Sequence, residues 1–232
     1  MRSAAWRTAA STSPPLEVRW LGRIAYADAL ELQRRLVERR RAGDIPDQLI
    51  LLEHDHVITL GTSAHAEHVL LEADERRLFG IEMFETGRGG QVTYHGPGQL
   101  VVYPLIDIRR AGLGVRDLVT ALERAVIDYC ASLGIEAATR PGAPGVYVQG
   151  RKLGSVGIRI RRGASYHGLA LNVNMDLEPF QRINPCGYAG LQMTQLASLG
   201  QPDLTVARAG EAFAPFLQRH LADLRRKPEP RT

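Results

Sequence analysis

A chain of 232 residues with 44% hydrophobic and 23% charged residues is long enough to bury a substantial core and fits one ordinary domain. Its 29 basic against 25 acidic residues leave a net charge of +4, which suits an acidic partner and falls short of a nucleic-acid-binding surface. The two cysteines, Cys130 and Cys186, form no CxxC pair, which excludes a disulfide scaffold and a structural zinc site. No apolar run approaches the roughly 20 residues of a membrane span, and no secretory signal core is present, so a cytoplasmic protein is expected.

Residues 1–15 are free of acids and rich in Arg, Ser and Ala, and read as a flexible N-terminal extension to a catalytic domain over residues 16–224. Leu16 to Trp20 reads as a strand. Tyr26, Ala29, Leu30, Gln33, Leu36 and Val37 then mark one face of a helix ending near Gly43. The arginine run Arg34, Arg35, Arg39, Arg40 and Arg41 alternates with that face and reads as its solvated side. Strands are expected at Asp47 to Glu53, His56 to Leu60, Ile81 to Glu85 and Gln99 to Ile106, with glycines as punctuation. Val115, Leu118, Val119, Leu122, Ala125, Val126, Tyr129 and Leu133 repeat at helical spacing and are followed by Gly134. Cys130 lies beside that face and reads as a buried structural thiol. Strands at Gly145 to Gln149, Lys152 to Arg161 and Ser165 to Asn174 follow, then a short helix near Asp176 to Phe180. A closing helix from Val206 to Leu224, kinked at Pro215, precedes a flexible tail over residues 225–232. The mixed order of strands and helices, with hairpins on one side, favours an α+β fold over a doubly wound sheet.

Three segments stand apart from this scaffold. Arg88 to Gln99 holds five glycine or proline residues in twelve. Such a loop brings main-chain N–H groups close to a ligand, while Thr93, Tyr94 and His95 add side-chain donors and a ring. Spacing alone leaves a tight hairpin around a buried histidine equally open. Gly150 to Gly157 carries Lys152, one of only two lysines in a chain whose positive charge is otherwise arginine. Unlike arginine, a lysine in a cleft can give up its proton and act as acid or base; by spacing alone an exposed strand lysine fits better. Asn184 to Gly190 places Cys186 between proline and glycine in a turn-forming stretch, where a loop thiol is better placed as a nucleophile than as core filling. His54, His56, His65 and His68 lack the further ligands that a metal site needs.

Taken in chain order, LLEHDHVITLG, RGGQVTYHGPGQLVVYPLID, RKLGSVGIRIRRG, YHGLALNVNMDL and INPCGYAG resemble the lipoyl(octanoyl) transferase family. The resemblance runs from about Leu16 to Leu199 without a departure at the motif positions. It implies an α+β catalytic module shared with biotin and lipoate protein ligases, a central mixed β-sheet flanked by helices. It also implies a catalytic pair, Cys186 and Lys152. The implied substrate-binding residues are Arg88, Gly89, Gly90, Gln91, Val92, Thr93, Tyr94, His95, Ser155, Val156, Gly157, Gly168, Leu169 and Ala170.

On that resemblance, an octanoyl group passes from octanoyl acyl carrier protein to Cys186 and then to the target lysine of a lipoyl domain, the first step of endogenous protein lipoylation. The thioester already carries the activation, so no metal, ATP or other cofactor is expected, and neither nucleic acid nor membrane is a partner. A protonated amine beside Cys186 would stabilise its thiolate, the unperturbed thiol pKa being about 8.5. Three alternatives stay open: an adenylating ligase of the same fold, a catalytically silent binding module, and a Cys–His hydrolase with His95 or His167 as base.

Overall fold

The computed structural model describes residues 16–184 and 190–226; the expected N-terminal extension and Cys186 lie outside them. In chain order the elements are β1 (Leu16–Ile24), α1 (Tyr26–Ala42), β2 (Asp47–His54), β3 (Val57–Leu60), α2 (Ala73–Leu78), β4 (Glu82–Glu85), β5 (Val92–His95) and β6 (Gln99–Leu105). There follow α3 (Val115–Ser132), β7 (Ala138–Arg140), β8 (Ala143–Val148), β9 (Arg151–Arg161), β10 (Ala164–Asn172) and α4 (Val206–Arg226). A seven-stranded sheet runs β1-β2-β6-β10-β9-β8-β7, and a three-stranded sheet runs β4-β3-β5. In the large sheet β1 pairs parallel with β2 and the other pairs are antiparallel. The fold is the mixed α+β arrangement expected from the sequence.

The apolar run of β2 is continuous because both faces of the sheet are covered. Leu49 and Leu51 pack into the core formed with α3 and α4. Ile50 and Leu52 pack on the opposite face with Ala29, Leu36 and Val37 of α1. This two-residue alternation repeats in β6, where Leu100 and Val102 join the first core and Val101 and Tyr103 the second. Each such fully buried aliphatic side chain contributes about 1.5–3 kcal/mol over its exposed state. Cys130 sits in the first core with no exposure, as expected, and burial pushes its thiol pKa up to about 12.

Three details differ from the sequence-based expectation. Residues 92–95 form β5, paired with β3, inside what reads as a loop, because glycines at both ends conceal a four-residue strand. Helix α2 has no buried residue, so it carries no apolar periodicity to read. Arg40 is not on the solvated side of α1 but 3% exposed. It donates to Asp47, which also accepts from Arg225 of α4 and from the amide of Asp107 at 3.1 Å. One buried carboxylate thus ties α1, β2 and α4 together.

Candidate active site

A cavity of about 390 Å³ lies between the large sheet, the small sheet and α3. Exposed Ser63, Gly90, Val115, Gly142 and Pro144 line its mouth, and buried Tyr26, His95, Tyr103 and His167 its inner end. Of the fourteen residues assigned by resemblance to substrate binding, thirteen line it, with Lys152. Tyr94 does not. Alternation along β5 turns its ring into the small-sheet core against Phe180, at 5.4 Å between centroids, where its hydroxyl shares a hydrogen bond with His56 Nδ1.

Arg88 holds the glycine-rich loop in place. Its guanidinium donates to Thr59 Oγ1 at 3.1 and 2.9 Å, to the Thr59 carbonyl at 2.6 Å, and to the carbonyls of Gln91 and Gly89 at 2.7 and 3.1 Å. The Gly89 amide in turn donates to the Ile158 carbonyl of β9 at 3.0 Å. Gly157 makes this approach possible: a Cβ there would stand 3.0 Å from the Gly89 carbonyl oxygen.

Lys152, the second residue of β9, stands on the cavity wall and is 1% exposed. Its Nζ lies 5.5 Å from the centre of the Tyr147 ring. Gly145 makes room for it. At φ +127° that glycine occupies a backbone region side chains avoid, and an added Cβ would meet the Gly154 carbonyl oxygen at 2.4 Å and Lys152 Cε at 2.7 Å. The Lys152 amide donates to the Gln192 carbonyl, and the Thr194 amide donates to the Lys152 carbonyl, both at 2.9 Å. The chain leaving the Asn184 to Gly190 segment therefore runs alongside Lys152. On the other side of that segment, the Asn184 amide donates to the His68 carbonyl at 2.8 Å.

At the inner end the ring partners fix the histidine tautomers. His54 Nδ1 can only donate to the Ile24 carbonyl, at 2.8 Å, so its Nε2 accepts from the Tyr103 hydroxyl at 2.7 Å. His95 Nδ1 donates to Gln99 Oε1 at 2.7 Å, which leaves its Nε2 a lone-pair acceptor. Burial holds all three rings neutral. It lowers the pKa of His54 to about 4, and those of His95 and His167 to about 3, with the nearby Arg88 guanidinium adding to the last two. His167 takes a left-handed backbone (φ 58°) and its amide donates to Gln33 Oε1 at 2.7 Å. Such a conformation is rare for a residue with a side chain and is held here by the sheet around it.

Sequence reasoning missed Tyr26 and Tyr103 as cavity residues, since each satisfies the apolar periodicity of its own helix or strand. The available signal was their hydroxyls, which need a partner when a tyrosine is buried.

The chain matches the lipoyl protein ligase A/B catalytic domain over residues 25–218. It is 55% identical over 187 residues to an octanoyltransferase of Alkalilimnicola ehrlichii, covering 81% of this chain and 84% of that protein. Among solved structures it resembles lipoate-protein ligase A bound with ATP, with a TM-score of 0.69 at 17% identity, covering 90% of this chain and 86% of that one. A biotin protein ligase from Aquifex aeolicus, in complex with biotin and ATP, gives 0.58 at 14% identity, over 91% and 72% of the two chains. At these identities the structural likeness speaks to the fold.

Proposed function

As a member of the lipoyl protein ligase A/B catalytic-domain family whose near relatives are octanoyltransferases, the chain is an acyltransferase, and we propose that in the cytoplasm it carries octanoyl from acyl carrier protein to the target lysine of lipoyl domains. The Cys186 thiolate attacks the carrier thioester, the C–S bond to the carrier breaks, the carrier sulfur leaves as a thiol with the proton that the Lys152 ammonium gives up, and the octanoyl group stays on Cys186 as a new thioester. Main-chain N–H groups of the glycine-rich segments receive the oxyanion of the tetrahedral intermediate. The acceptor amine then loses a proton to Lys152 and attacks, an amide C–N bond forms, and the thiolate of Cys186 is regenerated.

The observation that carries this reading is Lys152, a lysine 1% exposed yet on the wall of a cavity lined largely by apolar and glycine residues. Gln192, whose carbonyl accepts its amide hydrogen, follows Cys186 by six residues. The hydrolase alternative is weaker, because a histidine with a pKa of about 3, as at His95 and His167, is a poor base toward a thiol. Incubation with octanoyl carrier protein should raise the intact mass by one octanoyl group, located on Cys186. Cys186→Ser should lose both the adduct and the transfer. Full transfer by the serine variant would sink the covalent mechanism.

A further inference from the structure

Between the cavity and the run of chain that follows Cys186 lies a series of buried polar groups to which the transfer chemistry assigns no part. Along the pairing of β6 with β10, Val102 faces Leu169, Val101 faces Ala170 and Leu100 faces Leu171, and then Gln99 faces Asn172. Both amides are 1% exposed. Asn172 Nδ2 donates to the Thr194 carbonyl at 2.9 Å, and Gln99 Nε2 donates to Asn172 Oδ1 at 3.0 Å and to the Tyr94 carbonyl at 3.3 Å. His95 Nδ1 closes the series by donating to Gln99 Oε1 at 2.7 Å.

The Thr194 and Tyr94 carbonyls can only accept, so neither amide can be turned over. Thr194 requires the nitrogen of Asn172. The Asn172 oxygen then requires the nitrogen of Gln99, and the Gln99 oxygen requires a proton on His95 Nδ1. An apolar pair would fill the same space without this demand, whereas here displacing any one group leaves a buried partner unmet. What the series holds is the run 192–194. That run bridges Lys152 in parallel through Met193 and bonds it on both sides, the Lys152 amide donating to the Gln192 carbonyl and the Thr194 amide to the Lys152 carbonyl, each at 2.9 Å. Asn172 adds a side-chain tie from β10 to the same run, at a residue eight positions after Cys186.

Building on the transfer reading with Cys186 and Lys152, we propose that Asn172 is a positioning residue of that reaction: its amide locks the 192–194 run in register with Lys152, and so sets where the chain from Cys186 meets the base. Asn172 lines no part of the cavity and exchanges no proton. Gln99, itself oriented by His95 and Tyr94, keeps the Asn172 nitrogen turned toward Thr194. Displacing a nucleophile and its base by about 1 Å can slow a reaction on the order of a hundredfold, even when the altered residue is remote from the chemistry.

Two variants test this in the whole protein. Asn172→Asp keeps the shape and the acceptor for Gln99 but sets an oxygen against the Thr194 carbonyl. Asn172→Leu removes the donor without adding a charge, and serves if the first does not fold. With octanoyl carrier protein as donor and a lipoyl domain as acceptor, either should lower kcat by about ten- to a hundredfold, while KM for the carrier changes by less than about threefold because the cavity wall is untouched. The pH at which iodoacetamide alkylates Cys186 at half its full rate should rise by about half a unit or more, toward the ordinary thiol value near 8.5, as Lys152 moves from the thiolate. Cys130, buried in the core, stays unalkylated. A folded variant that keeps kcat within about twofold, or whose alkylation midpoint does not move, overturns the proposal, the second outcome leaving Asn172 a part of the scaffold only. Absence of octanoyl transfer by the unaltered protein would overturn the underlying transfer reading, and this inference with it.

Discussion

Arg88→Lys separates a scaffold role for this residue from a substrate-binding one, because it keeps the charge and removes the fork. The guanidinium reaches Thr59 on β3 and the Gln91 carbonyl of the glycine-rich loop at once, its Nη2 lying 2.6 Å from the Thr59 carbonyl and 2.7 Å from that of Gln91. A single ammonium on a flexible stem cannot reproduce the planar arrangement that also serves Thr59 Oγ1 and Gly89. Losing two of the charge-assisted bonds, at the low end of about 1.5 kcal/mol each because the loop can regain water, gives about 3 kcal/mol. In a domain of this size that is roughly 6–12 °C in Tm. The Gly89 to Ile158 contact should loosen with it and the KM for octanoyl carrier protein should rise. Circular-dichroism melts of the two proteins, read beside transfer kinetics, decide the matter. A Tm within about 2 °C of the unaltered protein, with transfer strongly reduced, would show that Arg88 acts on substrate and that the scaffold argument is wrong.

Asp47→Asn should cost about 3–5 kcal/mol in urea unfolding, since it strands the buried Arg40 guanidinium beside Arg225 without its carboxylate; a loss below about 1 kcal/mol would contradict the clamp. Stability should also fall with acid. His54, His95 and His167 have folded pKa values of about 4, 3 and 3, below the unfolded value of about 6.5. The unfolded chain therefore takes up protons first as pH drops through 6.5, and the folded state loses up to about 1.4 kcal/mol per pH unit for each ring until pH 4 to 3. Urea midpoints at pH 7, 6 and 5 measure this, and equal stability at pH 7 and 5 would show that the rings are not held neutral.

What the sequence made legible followed from how each residue meets its neighbours along the chain. Strand β2 and helix α3 could be read because each buries side chains at its own period, with Leu49, Ile50, Leu51 and Leu52 filling two cores in turn. Arg40 misled for the converse reason: its spacing matches a solvated helix face, and only Asp47 and Arg225, brought from elsewhere, make its burial possible. Lys152 looked like an exposed strand lysine until the motif resemblance spoke for it, since its burial depends on the missing side chain of Gly145 and on the Gln192 to Thr194 segment beside it. The inner end of the cavity was the least legible part. Tyr26, His54, His95, Tyr103 and His167 come from α1, β2, β5, β6 and β10, and each fits its own element as an ordinary buried position. Their chemistry emerges only from the partner each ring nitrogen and hydroxyl finds across the sheet. There the carbonyl of Ile24 fixes the tautomer of His54, and His54 fixes the direction of the Tyr103 hydroxyl, while the Tyr26 hydroxyl and His167 Nε2 are buried with no hydrogen-bond partner among the described residues.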